Sequence, residues 1–154
     1  MAVQEGDMAP DIHGIDQNGN EVKMADFAGK KVVLYFYPKD DTPGCTAEAC
    51  NLRDNYSDLQ KRGFEVVGVS KDPVKKHEKF VNKYDLPFTL LADEDRKVIE
   101  AYGAWGKKKF MGREYEGIHR YTFVIDEDGK VIKKIEKVKT KDHTAQILSE
   151  LGIE

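Results

Sequence analysis

Both cysteines of this chain fall in one stretch, Tyr37-Pro38-Lys39-Asp40-Asp41-Thr42-Pro43-Gly44-Cys45-Thr46-Ala47-Glu48-Ala49-Cys50. A thiol does its chemistry as a thiolate, either as nucleophile or as metal ligand. Metal ligation fits the pattern poorly: the pair lacks a second ligand pair, and His13, His77, His119 and His143 are scattered along the chain. Two readings of Cys45 are left, a reactive thiolate or a small hydrophobe on the inner stripe of a helix.

The flanking residues favour the thiolate. Thr42 is a preferred N-cap and Pro43 suits the first helical position. Cys45 then occupies the third helical position, facing unpaired backbone N–H groups and the positive end of the helix dipole. An anion is stabilised there, so the thiolate gains over the thiol. Pro38 has no N–H to donate; it stiffens the chain entering this segment and can wall the sulfur with apolar surface.

Cys50 raises a geometric problem. Residues five apart on an intact helix are rotated by about 140° and separated by about 7.5 Å along the axis, which puts their Cα atoms about 8.7 Å apart. A disulfide needs less than about 7 Å. Cys50 is therefore a spectator, or the partner in a transient disulfide that requires the first turns of the helix to unwind.

The elements that must position these residues can be read from the flanking patterns. Val32–Tyr37, Phe64–Val69 and Tyr121–Ile125 are rich in β-branched and aromatic residues without strict alternation, which predicts strands covered on both faces. Phe88–Leu91 is a shorter strand. Val131–Ile135 follows an Asp-Glu-Asp-Gly turn and pairs back as an antiparallel hairpin. Cys45, Ala49, Leu52, Tyr56 and Leu59 recur at helical spacing and predict one helix ending at Gly63.

A second helix starts with Asp72 as N-cap and Pro73 in first position, carrying Phe80, Val81 and Tyr84. A third covers Glu94–Tyr102. The last runs from about Asp142 to Leu151 and stops at Gly152. Gly103–Gly117, with four glycines, reads as a long loop. The alternation predicts an α/β fold: a mixed central β-sheet with helices on both faces and a right-handed first crossover. Cys45 falls beyond the C-terminal end of the first of these strands, where open sheets of this class bind ligands.

Composition narrows the function. A chain of 154 residues predicts a single domain, 1–154, with a substantial core. With 40% hydrophobic and 34% charged residues it should fold rather than stay disordered. A net charge of -3 gives no basic excess for nucleic acid, and Lys107-Lys108-Lys109 reads as a solvated loop. No apolar run approaches the roughly 18–20 residues of a membrane span, and the first residues lack a signal-peptide pattern. The expected location is cytoplasmic, where thiols stay reduced and a close cysteine pair is catalytic or metal-binding rather than a permanent staple.

The stretch "YFYPKDDTPGCTAEAC" followed by "NLRD" resembles the active-site region of peroxiredoxins, specifically the bacterioferritin comigratory protein or peroxiredoxin Q group of the atypical two-cysteine type. The family pattern of Pro, three residues, Thr, two residues and Cys is met by Pro38, Thr42 and Cys45, and Glu48 also matches. "GDMAPDIHGIDQNGN" is similar to the family's opening segment, and "GREYEGIHRYTFVIDEDGKV" to its strand bearing an active-site arginine, here Arg120. Leu52 departs from a frequent Phe, a packing change.

The resemblance implies a thioredoxin-like fold and thiol-dependent reduction of hydrogen peroxide and organic hydroperoxides, without cofactor or metal. It implies that Cys45 attacks peroxide and becomes a sulfenic acid. Thr42 and the Cys45 N–H would hold the substrate oxygens. Arg120 would favour the thiolate and stabilise transition-state charge, with Glu48 orienting it. Cys50 would resolve the sulfenic acid as an intramolecular disulfide, and thioredoxin or a similar dithiol donor would reduce that bond. With both cysteines so paired, none is left for an intersubunit disulfide, and a monomer or weak homodimer is expected. Three rivals stand at this level: a general dithiol–disulfide oxidoreductase, which would leave Pro38 and Thr42 unexplained, a metal-binding or redox-sensing module, and a secondary chaperone-like holding role.

Overall fold

The computed structural model of the chain describes residues 3–153. It opens with two short strands, β1 (His13–Ile15) and β2 (Glu21–Lys23), then β3 (Lys31–Phe36), α1 (Pro43–Asp54) and α2 (Tyr56–Lys61). Next come β4 (Phe64–Ser70), α3 (Val74–Tyr84), β5 (Thr89–Ala92) and α4 (Lys97–Ala101). The chain finishes with β6 (Trp105–Phe110), β7 (Arg113–Ile118), β8 (Thr122–Ile125), β9 (Val131–Ile135) and α5 (His143–Glu150).

Seven strands form one mixed sheet in the order β2-β1-β5-β4-β3-β8-β9. β3, β4 and β5 run parallel, while β8 is antiparallel to both β3 and β9. The missing alternation in β3 has a direct cause. Val32, Leu34 and Phe36 enter one core with Val67, Val69 and Phe123; Val33 and Tyr35 enter the other with Ala49, Leu52 and Val124. Two crossovers step in the same direction, β3 to β4 to β5, so α1, α2 and α3 share a face. Ile147 of α5 joins them there. Val98 and Ile99 of α4, with Val3 and Ile12 of the N-terminal segment, cover the opposite face.

Four expectations need correction. The helix after Thr42 does not run unbroken to Gly63: it breaks at Asn55, whose side-chain amide donates to the Asn51 carbonyl at 2.8 Å. Asp72 is not an N-cap; Pro73 is, and the helix begins at Val74. Asp72 instead accepts hydrogen bonds from Asp40 N and Ser70 Oγ. The third helix is only Lys97–Ala101, because the Asp93 carboxylate accepts from the N–H groups of Val98 and Ile99 and fixes its start.

The expected loop over Gly103–Gly117 is a separate two-stranded hairpin, β6 against β7, paired from Trp105↔Ile118 to Phe110↔Arg113. Its turn residues, Met111 and Gly112, have φ of 53° and 80°, the backbone of a two-residue hairpin turn that matches strand twist. Among the described residues no helix is long and apolar enough to cross a membrane.

Candidate active site

Thr42 has extended backbone angles, φ -104° and ψ 156°, and Pro43 opens α1, so Cys45 stands at the third helical position. The Thr42 side chain caps no backbone group; its Oγ1 donates to the Lys39 carbonyl at 2.9 Å. Cys45 is buried, 1% exposed, against the sheet beside Tyr35 and Ala49.

Arg120 lies between β7 and β8 and reaches α1 from the other side of the site. Its Nη2 donates to Cys45 Sγ at 3.3 Å and its Nη1 to Glu48 Oε1 at 2.9 Å. Cys45 and Glu48 are neighbours three residues apart on one helix face, so a single planar fork spans both. The approach is close: a Cβ at Gly44 would stand 3.3 Å from Arg120 Nη2. Burial works against the Arg120 charge, but Cys45 and Glu48 outweigh it and hold the guanidinium pKa above its ordinary value.

Glu48 is wholly buried, and burial raises its carboxyl from 4.5 to about 7 although Arg120 pulls the other way. Its second oxygen, Oε2, has no hydrogen-bond partner among the described residues and faces His143 Nε2 at 3.5 Å. His143 is also buried, and burial pushes it down to about 4. The contact has ion-pair distance, yet desolvation drives both groups toward their neutral forms.

Behind the loop from Pro38 to Thr42 lies a second polar network. Asp40 Oδ1 accepts from Tyr37 Oη at 2.6 Å, and Asp40 Oδ2 meets His77 Nδ1 at 2.6 Å. His77 Nε2 donates to the Leu91 carbonyl at 3.0 Å, and Asp40 N donates to Asp72 Oδ2 at 2.8 Å. Asp40, Asp72 and His77 bring ligand-type atoms within 4.8 Å of one another. Both Asp40 oxygens and both His77 nitrogens are already committed to protein partners, so the trio tethers the loop.

Cys50 is half-buried and opens on a cleft of about 480 Å³ lined by Thr42, Pro43, Thr46, Ala47 and Tyr84. Both thiols are free, and α1 is continuous through them. Pro38 is half-buried and lines a groove of about 360 Å³ with Trp105, Lys108, Tyr115 and Ile118.

Of the residues singled out from the sequence, Cys45, Glu48 and Arg120 are in direct contact. Thr42 starts the same helix, Pro38 stands at the loop's other end, and Cys50 lies on the opposite side of α1. The sequence gives no role to Asp40, and it offers His77 and His143 only as two of four scattered histidines. The scatter concealed them: β8 and α5 fold His143 onto Glu48, and no spacing in the chain signals that.

The chain belongs to the AhpC/TSA family, which it matches over residues 5–134. Within that class it is 48% identical over 151 residues to Peroxiredoxin Bcp of Bacillus subtilis, covering 98% of this chain and 96% of that protein. It superposes on Xanthomonas campestris Peroxiredoxin Q with a TM-score of 0.87 and 34% identity, over 98% of this chain and 96% of the other. A structure of Xanthomonas campestris bacterioferritin comigratory protein, described for its alkyl peroxide reduction activity and a trapped intermediate/ligand complex, gives 0.87 at 33% identity over 99% and 98% of the two chains. The thioredoxin-like fold and the peroxiredoxin group expected from the sequence are those found.

Proposed function

We propose that Cys45 is the thiol that attacks peroxide and that Cys50 resolves the product. As a member of its family the chain is a thiol-dependent peroxidase that draws electrons from a dithiol. The observation that carries the assignment to Cys45 is the Arg120 fork, which points one N–H at Sγ and the other at Glu48.

Cys45 thiolate attacks one peroxide oxygen, the O–O bond breaks, and its electron pair leaves on the other oxygen, which takes up a proton. Arg120 lies where negative charge sits before attack and spreads during it, so its stabilisation applies in the transition state. Thr42 gives its own proton to Lys39, so its hydroxyl oxygen presents lone pairs that accept the peroxide hydrogen. The Cys45 N–H donates to the substrate oxygen, Pro38 supplies an apolar wall, and Glu48 keeps the guanidinium in plane with the sulfur.

Resolution needs a different backbone. Cys50 sits on an intact helix with its Cα about 8.7 Å from that of Cys45, too far for a disulfide. Residues 45–50 must unwind, after which Cys50 sulfur displaces the sulfenic hydroxyl as water. The disulfide is then reduced by thioredoxin or a similar dithiol. Hydrogen peroxide and organic hydroperoxides are both substrates in this reading, the latter supported by the alkyl peroxide activity ascribed to the Xanthomonas relative. One cytoplasmic domain, as monomer or weak homodimer, carries the cycle.

Intact mass after one equivalent of hydrogen peroxide tests this. Wild type should lose two hydrogens, and Cys50→Ser should gain one oxygen. A wild type that stops at the oxygen adduct removes Cys50 from the cycle; a Cys45→Ser protein that still consumes peroxide removes Cys45.

A further inference from the structure

The contacts of His143 define its tautomer. Gln146 Nε2 donates to the Lys137 carbonyl at 2.8 Å, and Gln146 Oε1 accepts from Lys139 N at 2.8 Å. That fixes the amide, so the oxygen facing His143 Nδ1 at 3.0 Å is an acceptor and Nδ1 must carry hydrogen. In the neutral ring Nε2 is then a lone pair, which accepts from Thr122 Oγ1 at 2.8 Å. Glu48 Oε2, buried and without a hydrogen-bond partner among the described residues, faces that same lone pair. An ionised Glu48 beside a neutral His143 sets two acceptors against each other in a dry site, a cost that Arg120 offsets only when no second anion shares its charge.

From this we infer that Glu48 holds a proton on Oε2, beside the His143 Nε2 that Thr122 already occupies, while Cys45 is a thiolate, and gives it up as Cys45 is oxidised. The charges then balance at each stage. Before attack, Arg120 faces one anion, the thiolate, and a neutral carboxylic acid. As the S–O bond forms and the O–O bond breaks, sulfur is oxidised by two electrons and the peroxide reduced by two. The leaving oxygen needs one proton, matched by the one Glu48 surrenders. Afterwards Arg120 faces a neutral sulfenic acid and a carboxylate.

The charged and titratable groups around Glu48 are Cys45 on its own helix, Arg120 before β8, His143 on α5 and Tyr35 on β3. Tyr35 is wholly buried, and burial holds its phenol in the neutral form. The raised Glu48 pKa agrees with a bound proton. His143 is a positioning residue here: it touches no reacting atom and acts through Glu48.

The inference rests on Cys45 being the peroxidatic thiol, so the test reads the proton without turnover. Carboxyl carbon and imidazole nitrogen NMR on the reduced full chain should find Glu48 protonated at pH 6 and His143 neutral with hydrogen on Nδ1. In Cys45→Ser, where Arg120 has no other anion, Glu48 should hold its proton at least tenfold less tightly, a shift of one pH unit or more. A Glu48 already ionised at pH 6 in the reduced chain, an imidazolium at His143, or a titration indifferent to Cys45→Ser would each overturn it. Failure of the Cys45 assignment shows separately, as peroxide consumption by Cys45→Ser.

Discussion

Arg120 Nη2 meets Cys45 Sγ at 3.3 Å although the two residues stand 75 positions apart in the chain. The β3–β8 pairing brings them together, with Tyr35 opposite Thr122 at the end of the ladder. α1 leaves just beyond β3, and Arg120 arrives just before β8. The thiol and its cation are thus carried by neighbouring central strands of the sheet.

Replacing Arg120 with Lys keeps the charge and removes the fork. A point charge cannot donate to Sγ and Glu48 Oε1 in one plane. The rate of Cys45 oxidation should fall by about 10²–10³ with folding intact. Stopped-flow fluorescence against hydrogen peroxide, with circular dichroism alongside, checks this.

Gly44→Ala separates stability from activity. Alanine improves helix propensity by about 1 kcal/mol. Its Cβ, however, lies 3.3 Å from Arg120 Nη2, so the guanidinium must shift away. The variant should melt no earlier than wild type and react with peroxide about tenfold more slowly, by loss of transition-state contact. Thermal melts paired with rate measurements decide it.

Stability of the reduced protein should depend on pH in two opposed ways. Glu48, raised to about 7, binds its proton more tightly when folded, so stability is lost as pH rises from about 4.5 to about 7. His143, lowered to about 4, binds its proton less tightly when folded, so stability is gained as pH rises from about 4 to about 6.5. Each effect is on the order of 3 kcal/mol, and over the shared range they largely cancel. Urea midpoints should rise with pH in Glu48→Gln and fall with pH in His143→Gln.

The Asp40–His77 contact should matter far more than its exposed neighbour. His77→Leu leaves a buried Asp40 oxygen without its partner and should cost about 3 kcal/mol. Lys83→Ala breaks an exposed pair with Asp41 and should leave the unfolding midpoint nearly unchanged. Chemical denaturation of the two variants gives the comparison.

What the sequence disclosed followed from local physics. Thr42-Pro43 marked the helix start, and counting three residues on placed Cys45 at the dipole. The β3 run showed its double burial because both faces meet apolar helices. The β6–β7 hairpin stayed hidden because its strands are largely solvent-facing and charged, three lysines in β6 and Arg113, Glu114 and Glu116 in β7, so they carry no hydrophobic alternation, and its turn uses Met111 where glycine or asparagine is usual. The break at Asn55 was invisible because the apolar stripe continues through it from α1 to α2. His143 and His77 escaped for a third reason: each acts through a partner that only the sheet topology supplies.

In the proposed cycle one helix start must be whole for Cys45 to react and undone for Cys50 to resolve it. Amide hydrogen exchange over Pro43–Asp54 tests this most directly, on the reduced protein and on the same protein after one equivalent of peroxide. Amides of residues 46–50 should be protected in the reduced form and lose that protection once the disulfide has formed. A Cys45–Cys50 disulfide with α1 still fully protected would contradict it.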